Sequence, residues 1–145
     1  MDTFAVGVKV DGTRVEFKVI DGKVDCYEKE ICELVLPEGV KTVYCSRNQL
    51  TELTLPAGVQ EIDCAYNKLI KLILPEGVKR VYCWSNQLTE LVIPDGVEEL
   101  DCRNNQLKEL VLPESVREVS CSNNQLTELV HRHSENVKSV THLTV

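Results

Sequence analysis

The chain has 145 residues, of which 43% are hydrophobic and 27% charged. That is one domain with enough apolar material for a core, which excludes a disordered segment, and no apolar run approaches the roughly 18 residues of a membrane span. The formal net charge of −7 argues against nucleic acid or an anionic membrane as partner and mildly favours a basic one, with solubility alone as the competing account.

The N-terminal stretch MDTFAVGVKVDG has no basic region and no long apolar run, so no secretory signal is expected. The expected location is cytoplasmic, or that of an exported effector without a cleavable signal peptide. Seven cysteines cannot all pair internally, and a reducing compartment with free thiols follows. VGVKV and VEFKV alternate in polarity and flank Asp11-Gly12, while Asp21-Gly22 comes just before residue 24. Both Asp-Gly pairs predict tight hairpin turns. Residues 1–23 therefore read as a β-hairpin or small antiparallel meander that caps the N-terminal end of the core.

From there the chain is a repeat. VYCSRNQL from Val43, IDCAYNKL from Ile62, VYCWSNQL from Val81, LDCRNNQL from Leu100 and VSCSNNQL from Val119 align without gaps at a period of 19. Cys45, Cys64, Cys83, Cys102 and Cys121 stay in step, as do Asn48, Asn67, Asn86, Asn105 and Asn124. LPEGV, LPAGV, LPEGV, IPDGV and LPESV fill the other half. A period of this size is the mark of stacked repeats that bury one another's apolar faces. Alternation over Thr42 to Ser46 puts Val43 and Cys45 on one face and Thr42, Tyr44 and Ser46 on the other. Stacking then gives a parallel sheet, with a second extended segment around Leu53 and Leu55 as the opposite wall. Nineteen residues leave no room for a long helix. Gly58 is expected at a corner that needs positive φ, and Ser115 breaks that rule once.

The edges of the array are irregular. VDCYEKEICEL from Val24 keeps the frame, with Lys29 in the Asn slot. After Leu126 the frame survives only with two inserted residues, which puts Val137, Val140 and His142 in the Val, Val and Cys slots. The expectation is a mainly β solenoid over residues 24–145, with about seven strands and an atypical last repeat. A poorly covered C-terminal strand edge makes a homodimer through that end an alternative.

The unit L-x-x-L-x-L-P-x-G-V-x-x-V-x-C-x-x-N-x-L resembles the leucine-rich repeat, in its short bacterial form. That resemblance implies a right-handed coil with a concave parallel sheet. It also implies that each Asn side chain bonds backbone groups of adjacent turns, and that the concave face binds a protein or peptide. It leaves two alternatives: a structural, self-associating or idealised scaffold without a ligand, or the repeat part of a larger bacterial effector. The departure from the family pattern is Cys where Leu or Val is usual. The Cys ladder faces inward, so its thiols are expected to be structural and inert.

Every Tyr and the only Trp fall in the outward columns of the predicted sheet. The column before the first apolar residue is Thr42, Glu61, Arg80, Glu99 and Glu118. Between Val and Cys come Asp25, Tyr44, Asp63, Tyr82, Asp101, Ser120 and Thr141. After Cys come Tyr27, Ser46, Ala65, Trp84, Arg103 and Ser122, and next Glu28, Arg47, Tyr66, Ser85, Asn104 and Asn123. Tyr, Trp and Arg are the residues enriched in binding hot spots. The candidate contact surface is Tyr44, Arg47, Asp63, Tyr66, Arg80, Tyr82, Trp84, Asp101 and Arg103. The competing account is that aromatic and alternating charged residues only stabilise cross-strand pairs. No nucleophile with a placed base and no phosphate loop occurs. His131-x-His133 with His142 lacks supporting ligand spacing. No enzymatic activity, cofactor or metal is therefore expected.

Overall fold

In a computed structural model, the alternation and the 19-residue step are both kept in three dimensions. The structure describes residues 1–132 and, by its backbone alone, the segment 142–144. Twelve strands follow in chain order: β1 (Phe4–Lys9), β2 (Arg14–Lys18), β3 (Lys23–Asp25), β4 (Ile31–Val35), β5 (Thr42–Tyr44), β6 (Glu61–Asp63), β7 (Arg80–Tyr82), β8 (Glu99–Asp101), β9 (Glu109–Leu112), β10 (Glu118–Ser120), β11 (Glu128–His131) and β12 (His142–Thr144). No helix occurs among the described residues, and none is long and apolar enough to cross a membrane.

Six strands, β3, β5, β6, β7, β8 and β10, stack in parallel, one per solenoid turn, and β12 adds a seventh beyond β10. Lys23 pairs with Thr42, Thr42 with Glu61, Glu61 with Arg80, Arg80 with Glu99 and Glu99 with Glu118. Each step is one repeat. The inward residues of these strands, Val24, Val43, Ile62, Val81, Leu100 and Val119, are buried, and the Cys ladder from Cys26 to Cys121 lies beside them. Leu50, Leu69, Leu88 and Leu107 close the core at one side, and Leu34, Leu53, Leu72, Leu91 and Leu110 line it from the opposite wall. Each such side chain contributes about 1.5–3 kcal/mol on burial, and none could be buried by a single turn. On the opposite wall, β9 and β11 pair in parallel, again 19 residues apart.

The cap is a hairpin, with one change from the expected meander. β1 pairs antiparallel with β2, but its other edge pairs with β4 and not with a following meander strand. The first repeat strand, β3, is held in the parallel sheet, so β1 extends the opposite wall instead. Gly7 sits at this junction; a Cβ there would lie 2.9 Å from Phe17 Cε2 and 3.0 Å from Ile31 Cγ2. Ala5 and Phe17 join the solenoid core. Asp21 and Gly22 make the two-residue turn with positive φ at both positions, 52° and 75°, as a tight hairpin requires.

The last strand corrects the sequence expectation. Leu143, not Val140, pairs with Val119, and His142 pairs with Glu118. The slip is three residues: Leu143 lies 24 residues beyond Val119, against the 21 that a two-residue insertion gives. Val137, Val140 and Thr141 lie outside the described residues. Gly39, Gly58, Gly77 and Gly96 all have φ between 91° and 100°. Ser115 replaces that glycine without positive φ, and its hydroxyl accepts the N–H of Gly96 from the turn before at 2.9 Å.

Candidate binding face

Beneath the exposed face runs a rigid polar floor. Asn67 Oδ1 accepts the N–H of Leu50, and its amide nitrogen donates to the carbonyls of Cys45, Cys64 and Ala65 at 3.1, 3.1 and 3.3 Å. Asn48, Asn86, Asn105 and Asn124 repeat the pattern. Each side chain thereby satisfies groups in its own turn and in the preceding one, where the chain leaves the strand and the ladder stops. The degenerate first turn needs no Asn of its own, since Asn48 accepts from the N–H groups of Lys29 and Ile31.

All cysteines of the described residues are free. Burial pushes the Cys26 thiol up to about 12, and it holds Cys45 and Cys83 well above the ordinary thiol value. Such thiols are protonated and shielded, hence unreactive. Cys32 stands apart from the ladder, half-buried, near the carbonyl of Lys9. No group of three or more His, Cys, Asp or Glu among the described residues is arranged to hold a metal.

The chain turns off each strand through a left-handed residue. Glu28, Arg47, Tyr66, Ser85, Asn104 and Asn123 all have φ between 52° and 58°. This conformation suits Asn and costs other residues about 1–2 kcal/mol each. The two bulkiest members, Arg47 and Tyr66, are the ones that build the edge of the face. Tyr66 and Trp84 meet edge-to-face with ring centroids 4.6 Å apart. The Arg47 guanidinium lies 4.3 Å from the Tyr66 centroid, and that of Arg103 lies 5.4 Å from Trp84. One continuous stack, Arg47–Tyr66–Trp84–Arg103, therefore crosses four turns. Arg103 ends it on a two-pronged pair with Asp101, at 2.9 and 2.7 Å.

The second group sits at the centre of the sheet. Its middle column alternates Asp25, Tyr44, Asp63, Tyr82 and Asp101 across paired strands. The Tyr82 hydroxyl donates to Glu99 at 2.6 Å and the Tyr44 hydroxyl to Glu61 at 3.4 Å. Burial, then Glu99, raises the Tyr82 phenol; burial, then Glu61, raises that of Tyr44. Arg80 pairs with Glu61 at 3.5 Å. Asp63 accepts only the N–H of Ala65 among the bonds seen at the face. Burial, together with Glu61 and Asp101, holds its carboxyl above the usual carboxylate range. A hollow of about 680 Å³ opens here between Tyr27, Tyr44 and Tyr82, with Asp25, Glu61 and Asp63 on its floor and rim.

All nine candidate residues thus lie on or beside this face, in two groups: Arg47, Tyr66, Trp84 and Arg103 at the edge, and Tyr44, Asp63, Arg80, Tyr82 and Asp101 at the centre. Two outward positions prove otherwise: Ser46 and Ala65 are buried. Flanked along their column by Tyr27 and Trp84, these short side chains end below the surface. Asp25 and Tyr27 are additions to the candidate set. They stand in the same columns as Tyr44 and Trp84, so the frame carried the signal, but their repeat is the degenerate first one. The chain matches no known family model, no curated protein and no solved structure.

Proposed function

We propose that the chain is a non-enzymatic recognition module, a leucine-rich-repeat protein of the short bacterial type, which binds a protein or peptide on the exposed face of its parallel sheet. The observation that carries this is Tyr66. It is 41% exposed and sits in a left-handed backbone that a Tyr does not favour, yet it anchors the stack with Trp84. Strain of this kind persists where a function needs the side chain, and two later turns show that Asn fits the same slot without it. Rigid aromatic anchors with charged neighbours are the composition of a binding hot spot. The hollow between Tyr44 and Tyr82, with Asp63 at its base, would suit a basic side chain of the partner.

A second reading makes the face a stabilising surface of a ligand-free scaffold. Arg80 between Glu61 and Glu99, and the hydrogen bond from Tyr82 to Glu99, favour it. The two separate experimentally. With the wild-type chain as bait, Trp84→Ala and Tyr66→Asn should each lose the captured partner while the melting temperature stays nearly unchanged. If both substitutions melt the protein, or capture is unaffected, the rings serve the fold alone.

A further inference from the structure

The wall opposite the sheet carries a second organised surface. On every turn the residue between two inward apolar side chains points out: Val35, Thr54, Ile73, Val92, Val111 and Val130. Val35, Ile73 and Val92 are 67%, 70% and 80% exposed, whereas Leu34, Leu53, Leu72, Leu91 and Leu110 of the same segments are buried. Acidic columns run on both sides of this ladder. Two residues earlier in each turn come Glu33, Glu52, Lys71, Glu90, Glu109 and Glu128; beyond the turn's proline, or proline position, come Glu38, Ala57, Glu76, Asp95 and Glu114. All of these are exposed. The wall therefore presents an apolar stripe between two rails that hold nine carboxylates and one Lys.

Nothing in the fold demands an apolar ladder here. Thr54 occupies the same column and shows that a polar β-branched residue fits the segment. Two hollows open between consecutive turns, of about 420 Å³ and about 280 Å³. The first has Leu34, Leu36 and Leu53 at its base with Glu33, Glu38 and Glu52 around it; the second sits on Leu91 and Ile93 beside Glu90, Asp95 and Glu109, with Arg132 at its margin. The first pairs an apolar floor with an all-acidic rim; the second has three carboxylates and the Arg132 cation around its apolar floor. Contiguous exposed apolar surface rimmed by polar groups marks an interaction site. A second copy of the chain would set rail against rail, and an anionic membrane would be repelled. The charge pattern instead complements a segment with apolar residues along one stripe and Lys or Arg on either side. The two columns stand five residues apart along each turn, at most roughly 16 Å of extended chain, which is room for a helix of about 10–12 Å diameter.

We propose that this wall docks a basic amphipathic helix of a partner protein, with its apolar stripe on the Val35–Val130 ladder and its cations over the two acidic columns. It is a separate surface from the sheet face, and the two proposals stand or fall independently.

The probe is a labelled Leu/Lys amphipathic peptide of about 18 residues, followed by fluorescence anisotropy, with a Leu/Glu peptide of the same pattern as control. The double variant I73T/V92T should retain its melting temperature, on the precedent of Thr54, and bind the Lys peptide about tenfold more weakly. E90Q/E109Q should also weaken binding, and added salt should then matter less than in the wild type. Trp84→Ala should bind as the wild type does, and the Leu/Glu peptide should not bind. Equal affinity for the wild type and I73T/V92T, or loss of binding in Trp84→Ala, would overturn the proposal. So would sedimentation of the free chain as a dimer that I73T/V92T abolishes, since the occupant would then be a second copy.

Discussion

Asn86 bonds backbone groups in two turns at once. Its Oδ1 accepts the N–H of Leu69 at 2.9 Å, and its amide donates to the carbonyls of Cys64, Cys83 and Trp84 at 3.0, 3.1 and 3.4 Å. Asn86→Ala leaves the Leu69 N–H in the interior without a partner, at about 1–3 kcal/mol, and takes one of two donors from the carbonyls of Cys64, Cys83 and Trp84, which keep Asn67, Asn105 and the Tyr66 N–H. A loss of about 2 kcal/mol is expected in urea unfolding. Asn124→Ala should cost clearly less, because its bonds are only partly buried and water can replace them. Equal losses would mean that the ladder acts by packing and not by hydrogen bonding. A second substitution tests the left-handed column. Ser85 lies at φ 55° where Asn104 and Asn123 are at home, so Ser85→Asn should stabilise by about 0.5 kcal/mol; destabilisation would show that the column carries no strain. The Asn ladder was legible in the sequence because one residue type repeats in register. The left-handed column was not, since Glu, Arg, Tyr, Ser and Asn share no type and none is Gly.

Among the elements, the cysteine ladder has a consequence for pH. An unfolded thiol ionises near its ordinary value of 9.0, whereas Cys26 in the fold ionises at about 12 and burial lifts Cys45, Cys64, Cys83 and Cys102 too. Below pH 9 both states hold the proton and the ladder's contribution is complete. Above it only the unfolded state releases protons, so stability is lost as pH rises from 9 toward the folded values. The slope is about 1.4 kcal/mol per pH unit for each fully buried thiol. Unfolding free energy should therefore fall steeply between pH of about 9 and about 10.5, and Cys83→Ala should make the fall shallower by one thiol's share. A flat profile would show the thiols open to solvent. The same ladder made the strands readable: a gap-free period fixes which residue pairs with which, and β3, β5, β6, β7, β8 and β10 pair at the predicted step. Where the period fails, before β12, the sequence offers no marker of the length of the insertion, and the register came out three residues late. The two groups of the candidate face were legible as columns. Their division was not, because it depends on ring contacts such as Tyr66 with Trp84 that a column cannot specify.

At the scale of the molecule, each turn rests only on the turns before and after it. Stability is then close to a sum of turn and interface contributions, and the reach of a lesion depends on its position in the stack. Ile62 is fully buried in β6, with paired strands on both sides, and Ile62→Ala should cost about 2–5 kcal/mol. Its loss weakens two interfaces in the middle of the array, so amide exchange should quicken from β5 through β8 together. Leu129, in β11, is only partly buried against the core, and among the described residues its strand pairs with β9 alone. Leu129→Ala should raise exchange in β11 and its partner while leaving β5 to β7 at wild-type rates. The cap acts in the opposite direction. By pairing β1 with β4 and bringing Ala5 and Phe17 into the same buried core as Val24 and Ile31, it removes the N-terminal interface from the set that can fray. Protection should therefore fall along the stack from the capped end toward β11, and the Ile62 lesion should spread farther than the Leu129 one. Hydrogen-exchange mass spectrometry on the two variants reads this directly. Uniform loss of protection in both would mean that the solenoid unfolds as one cooperative unit, with no independent turns.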